Sequence, residues 1–164
     1  VFLTPIMASA LKNLSDFTTE NLPDVSGKTF AIVVSEWNTE VTHALYSGAY
    51  DTLLKYGAKE DHILSVKVPG SFELSLGAQK MAQKQEIDAV ICLGCVIQGE
   101  TRHFDFICQA VADGITKVSL KFDKPVIFGV LTPNTQEQAM DRAGGKHGNK
   151  GDEAAITAIK MLGI

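Results

Sequence analysis

A chain of 164 residues with 45% apolar and 21% charged side chains is long enough for one domain that buries roughly 70% of its unfolded surface, and short for two. Only 5 prolines set it apart from disordered and collagenous chains, and a formal charge of −4 argues against nucleic acid as a partner. No apolar run nears the ~18 residues of a membrane span and no signal-peptide pattern opens the chain, so the expectation is a cytoplasmic protein without a membrane partner.

Residues 1–28 read as an N-terminal arm outside the main core, because they lack periodicity and Ser9 to Lys28 is rich in Ser, Thr, Asn and Asp. Met7 is a candidate natural start. Residues 29–164 then alternate apolar strand-type runs with helical patterns. Thr29 to Ser35 leads through Glu36-Trp37-Asn38 into a helix from Thr39 to Tyr56. Its Val41, Leu45, Ala49 and Leu53 share a stripe, and Gly57 stands where a C′ glycine belongs. His62 to Val68 is followed by Pro69-Gly70-Ser71-Phe72-Glu73 and a helix beginning near Ser71 that aligns Leu74, Ala78, Met81 and Ala82.

The third strand, Ala89 to Ile97, contains Cys92 and Cys95. Their C-x-x-C spacing matches redox and zinc pairs, yet residues three apart on a strand point to opposite faces, so small buried side chains are the preferred reading. Three cysteines in all, an odd number, give no disulfide framework. The following helix aligns Phe104, Ile107, Cys108, Val111, Ile115 and Val118. Pro125 to Leu131 is the fourth strand, and Thr135 with Gln138 opens a helix at capping-box spacing. A break at Gly144-Gly145 precedes a last helix around Glu153 to Leu162. The near-continuous apolar character of these runs suits a parallel sheet covered on both faces, which gives a doubly wound α/β/α sandwich of three layers with a four-stranded sheet.

Ligands of such sheets bind beyond the carboxyl ends of the strands. Trp37, the single tryptophan, follows the first strand and serves either to stack on a flat heterocycle or to cap the next helix. Ser71 and Glu73 offer a hydroxyl, amides and a carboxylate to a polyol or pyrimidine edge, or else form an ordinary helix start. Gly99, Glu100 and Thr101 open a helix whose free amides and dipole suit a phosphate, with His103 as a proton carrier or a solvated first-turn residue. Arg142 is a phosphate fork or a cation at a helix C-terminus. The loop Glu36-Trp37-Asn38 lacks the hydroxyls of a flavodoxin phosphate loop, and a receiver domain's acidic cluster and phosphoacceptor Asp are missing. Walker, H-E-x-x-H and G-x-S-x-G patterns are absent too, so nucleotide hydrolysis, zinc proteolysis and serine hydrolase chemistry lose their best supports.

Five segments in order resemble the lumazine synthase family: Ser35 to Asn38, Val68 to Glu73, Leu93 to Phe106, Pro125 to Gly129 and Arg142 to Gly151. The likeness spans about Lys28 to Leu162. It implies a flavodoxin-like fold and condensation of 5-amino-6-(ribitylamino)uracil with 3,4-dihydroxy-2-butanone 4-phosphate to 6,7-dimethyl-8-ribityllumazine, the penultimate step of riboflavin synthesis, with no cofactor and no metal. By the same resemblance Trp37, Asn38, Ser71, Phe72, Glu73, Cys95, Val96, Ile97 and Phe128 line the ribitylaminouracil pocket. Glu100, Thr101 and Arg142 hold the phosphate, His103 shuttles protons, and Phe128 and Arg142 come from the adjoining subunit. Pentamers, a shell of twelve pentamers, an arm paired with a neighbour's sheet edge and association with riboflavin synthase are further implications. Trp37 replaces a common Phe, Gln98 an often basic residue, and Glu100 a small one. A lumazine or flavin carrier and a riboflavin synthase on the same fold are the other readings.

Overall fold

The computed structural model describes Ser15 and residues 17–164; the expectations for Met7 and for an arm paired with a neighbour fall on residues outside these. The chain runs β1 (Phe30–Ser35), α1 (Thr39–Lys55), β2 (Ile63–Val68), α2 (Leu74–Ala82), β3 (Ala89–Cys95), α3 (His103–Phe122), β4 (Val126–Leu131), α4 (Gln136–Asp141), β5 (Ala143–Gly145), β6 (Gly148–Asn149) and α5 (Lys150–Met161). The first four strands form a parallel sheet in the order β2-β1-β3-β4. This is the expected doubly wound α/β architecture.

Strand alternation divides the core. Phe30, Ile32, Val34, Ile91, Leu93 and Cys95 face α1 and α5, while Ala31, Val33, Val90 and Cys92 face α2 and α3. Cys92 and Cys95 therefore lie in different layers, as their spacing requires. Burial pushes the Cys92 thiol up to about 12 and Cys95, with Cys108 adding to the effect, to about 11. Both stay protonated at neutral pH and act as packing side chains. Gly57 takes φ 107° after α1, the left-handed conformation that ends a helix without a Cβ penalty.

The structure departs from the sequence expectations in three places. Val25 is buried, and Phe17 and Leu22 pack against the same cluster, so this part of the segment before residue 29 lies on the core. The α5 helix starts at Lys150 and not near Glu153, because Asn149 Oδ1 accepts the Gly151 amide at 2.8 Å and caps it there. The break at Gly144-Gly145 is a small antiparallel hairpin, β5 with β6. Gly144 and Gly148 take φ 105° and 85°, and a Cβ on Gly145 would stand 2.7 Å from the Asp141 Cα, so glycine is required at all three.

Candidate active site

The carboxyl ends of β1, β2 and β3 meet in one mouth. After β1, Glu36 and Trp37 donate their amides to the Pro69 carbonyl at 3.2 and 3.0 Å, which ties the first loop to the turn after β2. Asn38, at φ 59°, donates Nδ2 to the Cys95 carbonyl at 2.9 Å and so joins the same loop to the end of β3. Trp37 lies on Gly70: a Cβ there would stand 2.6 Å from the ring. The indole is nevertheless 67% exposed, a stacking face left uncovered.

Ser71 to Glu73 form a single 3-10 turn ahead of α2. Glu73 Oε2 accepts the Gly70 amide at 3.0 Å, so one carboxylate oxygen holds the turn. Gly94 lets this turn settle on β3, since a Cβ would come within 2.6 Å of Ser71 Oγ and 3.2 Å of Ser35 Oγ. Both hydroxyls are buried without a hydrogen-bond partner among the described residues. Phe72 is exposed beside them.

Beyond β3, Val96 and Gln98 donate to the Leu131 and Pro133 carbonyls at 2.9 and 3.0 Å, so the chain follows β4 past the formal strand end. The amides of Gly99, Glu100, Thr101 and Arg102 have no hydrogen-bond partner among the described residues. They open α3, whose dipole adds positive potential. Thr101 Oγ1 accepts the His103 amide at 3.3 Å, and the Arg102 guanidinium lies over the Phe106 ring at 5.7 Å. Glu100 and His103 are both exposed.

Phe128 and Arg142 lie elsewhere. Phe128 sits on β4, an outer strand of the sheet, and lines a groove of about 420 Å³ with Lys150, Glu153 and Met161. Arg142 lines an adjoining groove of about 300 Å³ with Pro133, Gln138 and Lys150. A further groove of about 520 Å³ lies beside β2 between Tyr46, Ser65 and Lys67 and reaches the mouth at Ser35 and Glu36. The candidate residues thus form two groups on one chain, a mouth and an edge. Lys150 and Glu153 are additions to the edge. Only the hairpin reveals them, by folding Lys150 back so that its amide donates to the Arg142 carbonyl at 2.8 Å.

Among the described residues, no three His, Cys, Asp or Glu side chains gather to hold a metal ion, and no helix is long and apolar enough to cross a membrane. The family model described as 6,7-dimethyl-8-ribityllumazine synthase matches residues 27–164. A protein of that name from Cytophaga hutchinsonii is 67% identical over 156 residues, covering 95% of this chain and 98% of the relative. Others from Parabacteroides distasonis and Porphyromonas gingivalis are 53% and 51% identical, covering 95% and 96% of this chain and 98% of each relative. With five sequence segments, the sheet order and these matches in agreement, the chain belongs to the 6,7-dimethyl-8-ribityllumazine synthase family.

Proposed function

We propose that the mouth of one subunit and the β4 edge of its neighbour together form the site of this transferase. The enzyme condenses 5-amino-6-(ribitylamino)uracil with 3,4-dihydroxy-2-butanone 4-phosphate to 6,7-dimethyl-8-ribityllumazine, releasing phosphate and water, in riboflavin biosynthesis. The observation that carries the site assignment is the row of amides from Gly99 to Arg102, unpartnered among the described residues, beside an uncovered indole.

In this reading Trp37 stacks on the pyrimidine, while Ser71, Phe72, Glu73, Asn38 and Cys95 to Ile97 line the uracil and ribityl pocket. The buried hydroxyls of Ser35 and Ser71 are satisfied when a polar ligand fills the mouth, which fits a polyol-bearing heterocycle. Thr101 and the loop amides hold the phosphate together with Arg142 and Lys150 of the adjoining subunit, whose Phe128 completes the ribitylaminouracil pocket. Glu100 keeps its exposed side chain in solvent and contributes its amide. His103, at the start of α3, moves protons as the amine adds to the ketone and water leaves.

Amine and ketone form an imine without an enzymic nucleophile, so orientation carries the larger share of the rate. Well-oriented intramolecular reactions gain up to ~7–11 kcal/mol, and general acid–base help adds typically 10²–10⁴-fold. Mixing the protein with both substrates and following lumazine absorbance with phosphate release tests the activity. Product above the spontaneous rate, dependent on both substrates, is the expected result. Absence of acceleration from an assembled sample supports the carrier reading instead.

The assembly proposed is a pentamer, with twelve pentamers closing a shell, in the cytoplasm and in association with riboflavin synthase. In this reading residues 1–28 are an arm whose Phe17, Leu22 and Val25 pack on the core of the α/β domain, 29–164. What supports an oligomer is the set of large apolar side chains left exposed, among them Trp37, Phe72, Leu76, Phe106 and Leu120, the last two at 65% and 79%. Light scattering coupled to size exclusion checks it, and a mass of one pentamer excludes the shell.

A further inference from the structure

The guanidinium of Arg142 has five N–H bonds, and the chain itself uses three. Nη1 donates to the His147 carbonyl at 2.7 Å and to Glu153 Oε1 at 2.9 Å, and Nη2 donates to Glu153 Oε2 at 3.1 Å. The carboxylate thus occupies the end of the fork and leaves Nη1 no free hydrogen. Nε–H and the second hydrogen of Nη2 remain, on one side edge of the guanidinium plane, without a partner among the described residues. Two parallel donors on a planar edge match two oxygens of a tetrahedral anion.

Lys150 is bound to the same carboxylate. Its Nζ lies 3.4 Å from Glu153 Oε2, and its amide is fixed to the Arg142 carbonyl across the hairpin. One acid therefore fixes two cations, and the cluster carries one net positive charge in place of two. The Arg142 and Glu153 side chains are 20% and 15% exposed, so water screens the pair only in part.

We infer that Glu153 is a positioning residue of the phosphate site: it turns the side edge of Arg142 toward the ligand and moderates the charge that holds it. The moderation lets the phosphate depart once the condensation has expelled it. The inference rests on the reading of Arg142 as the phosphate clamp. It separates two effects that a purely structural ion pair would not separate. Glu153→Gln keeps the size and one acceptor while removing the opposing charge, so phosphate should bind more tightly. Glu153→Ala removes the hold as well, so Arg142 swings and phosphate should bind more weakly.

Inhibition by inorganic phosphate, measured against 3,4-dihydroxy-2-butanone 4-phosphate in the assembled enzyme, reads both effects. Glu153→Gln should lower the inhibition constant roughly 3- to 10-fold and lower kcat together with KM, while Glu153→Ala raises the constant by a similar factor. Circular dichroism and light scattering establish that each variant is folded and assembled. Changes of the same sign in both variants, or no change in either, overturn the inference. Arg142→Ala in the same assay tells the two failures apart. If it leaves phosphate inhibition unchanged, the clamp reading falls and this inference with it; if it weakens inhibition while the two Glu153 variants agree in sign, only the role of Glu153 falls.

Discussion

The mouth and the edge of this chain solve opposite problems. At the mouth, backbone and side-chain hydrogen bonds among three loops hold polar groups left unmatched among the described residues: four free amides and two buried hydroxyls, beside an exposed indole. At the edge, Glu153 pairs with both Arg142 and Lys150 across a hairpin of five strand residues in all. The first region offers partners to a ligand; the second has its charges already arranged. A neutral heterocycle gains most from the former, since burial and stacking require unfilled partners. A phosphate gains most from the latter, since cations held in place lose little entropy on binding.

If the division holds, variants at the mouth and at the edge should move different kinetic constants. The largest effect is expected at His103. His103→Ala should lower kcat by roughly 10²-fold, near the lower end of what general acid–base groups contribute, with both substrates saturating. A folded, assembled variant without any turnover would falsify the view that positioning dominates. Next comes Arg142→Ala, which removes two charge-assisted hydrogen bonds to phosphate and should raise the KM for the phosphorylated substrate by roughly 30-fold. The KM for the uracil should stay the same, and a shift of both constants together would merge the two regions into one.

A smaller change tests the seat of Trp37. Gly70 has φ −131°, a backbone any residue adopts, so Gly70→Ala adds no strain of its own. The new Cβ meets the indole at 2.6 Å and Glu73 Oε2 at 3.1 Å, and the ring must move. The KM for the uracil should rise about 5- to 10-fold with phosphate inhibition unchanged. Trp37, the single tryptophan, should report the displacement in its fluorescence. An unchanged spectrum and unchanged KM would remove Trp37 from the pocket.

The mouth was legible in the sequence because periodicity locates strands and helices, and a parallel sheet places its ligands where strands end. Apolar runs marked β1, β3 and β4, a run broken by Ser65 and Lys67 marked β2, and the stripe ending at Val118 marked α3. The ties that shape the mouth were not legible. The Asn38 bond to the Cys95 carbonyl and the Ser71 turn on Gly94 join residues far apart in the chain, and no local pattern encodes them. The edge was less legible still. Its hairpin buries little and depends on left-handed glycines, so it reads as a break, and with it went the pairing of Arg142 with Glu153, eleven residues on. The Asn149 cap was the available signal: moving the start of α5 to Lys150 would have put that lysine in the first turn with Asp152 and Glu153.

Those two acids give the finest test of the comparison, because neighbours in sequence serve different ends. Glu153 faces the cations of the edge, whereas Asp152 packs against α1, where a Cβ on Gly48 would clash with its carboxylate. Burial raises the Asp152 pKa above 3.8, opposed in part by the Thr52 hydroxyl and Lys55 and reinforced by Glu153 and Asp51. The raised value means that the folded state disfavours the ionised form. Stability carries no such cost below pH 3.8, falls as the pH rises from there through the folded-state value, and stays lowered by a constant amount at neutral pH. Asp152→Asn should therefore raise the melting temperature by about one degree or two at pH 7 and not at pH 3, since solvent still screens a half-buried group. It should leave phosphate inhibition unaltered. A change in that constant would mean that α5 transmits charge from the α1 interface to the edge, and the edge could then no longer be treated as a unit apart from the core that carries it.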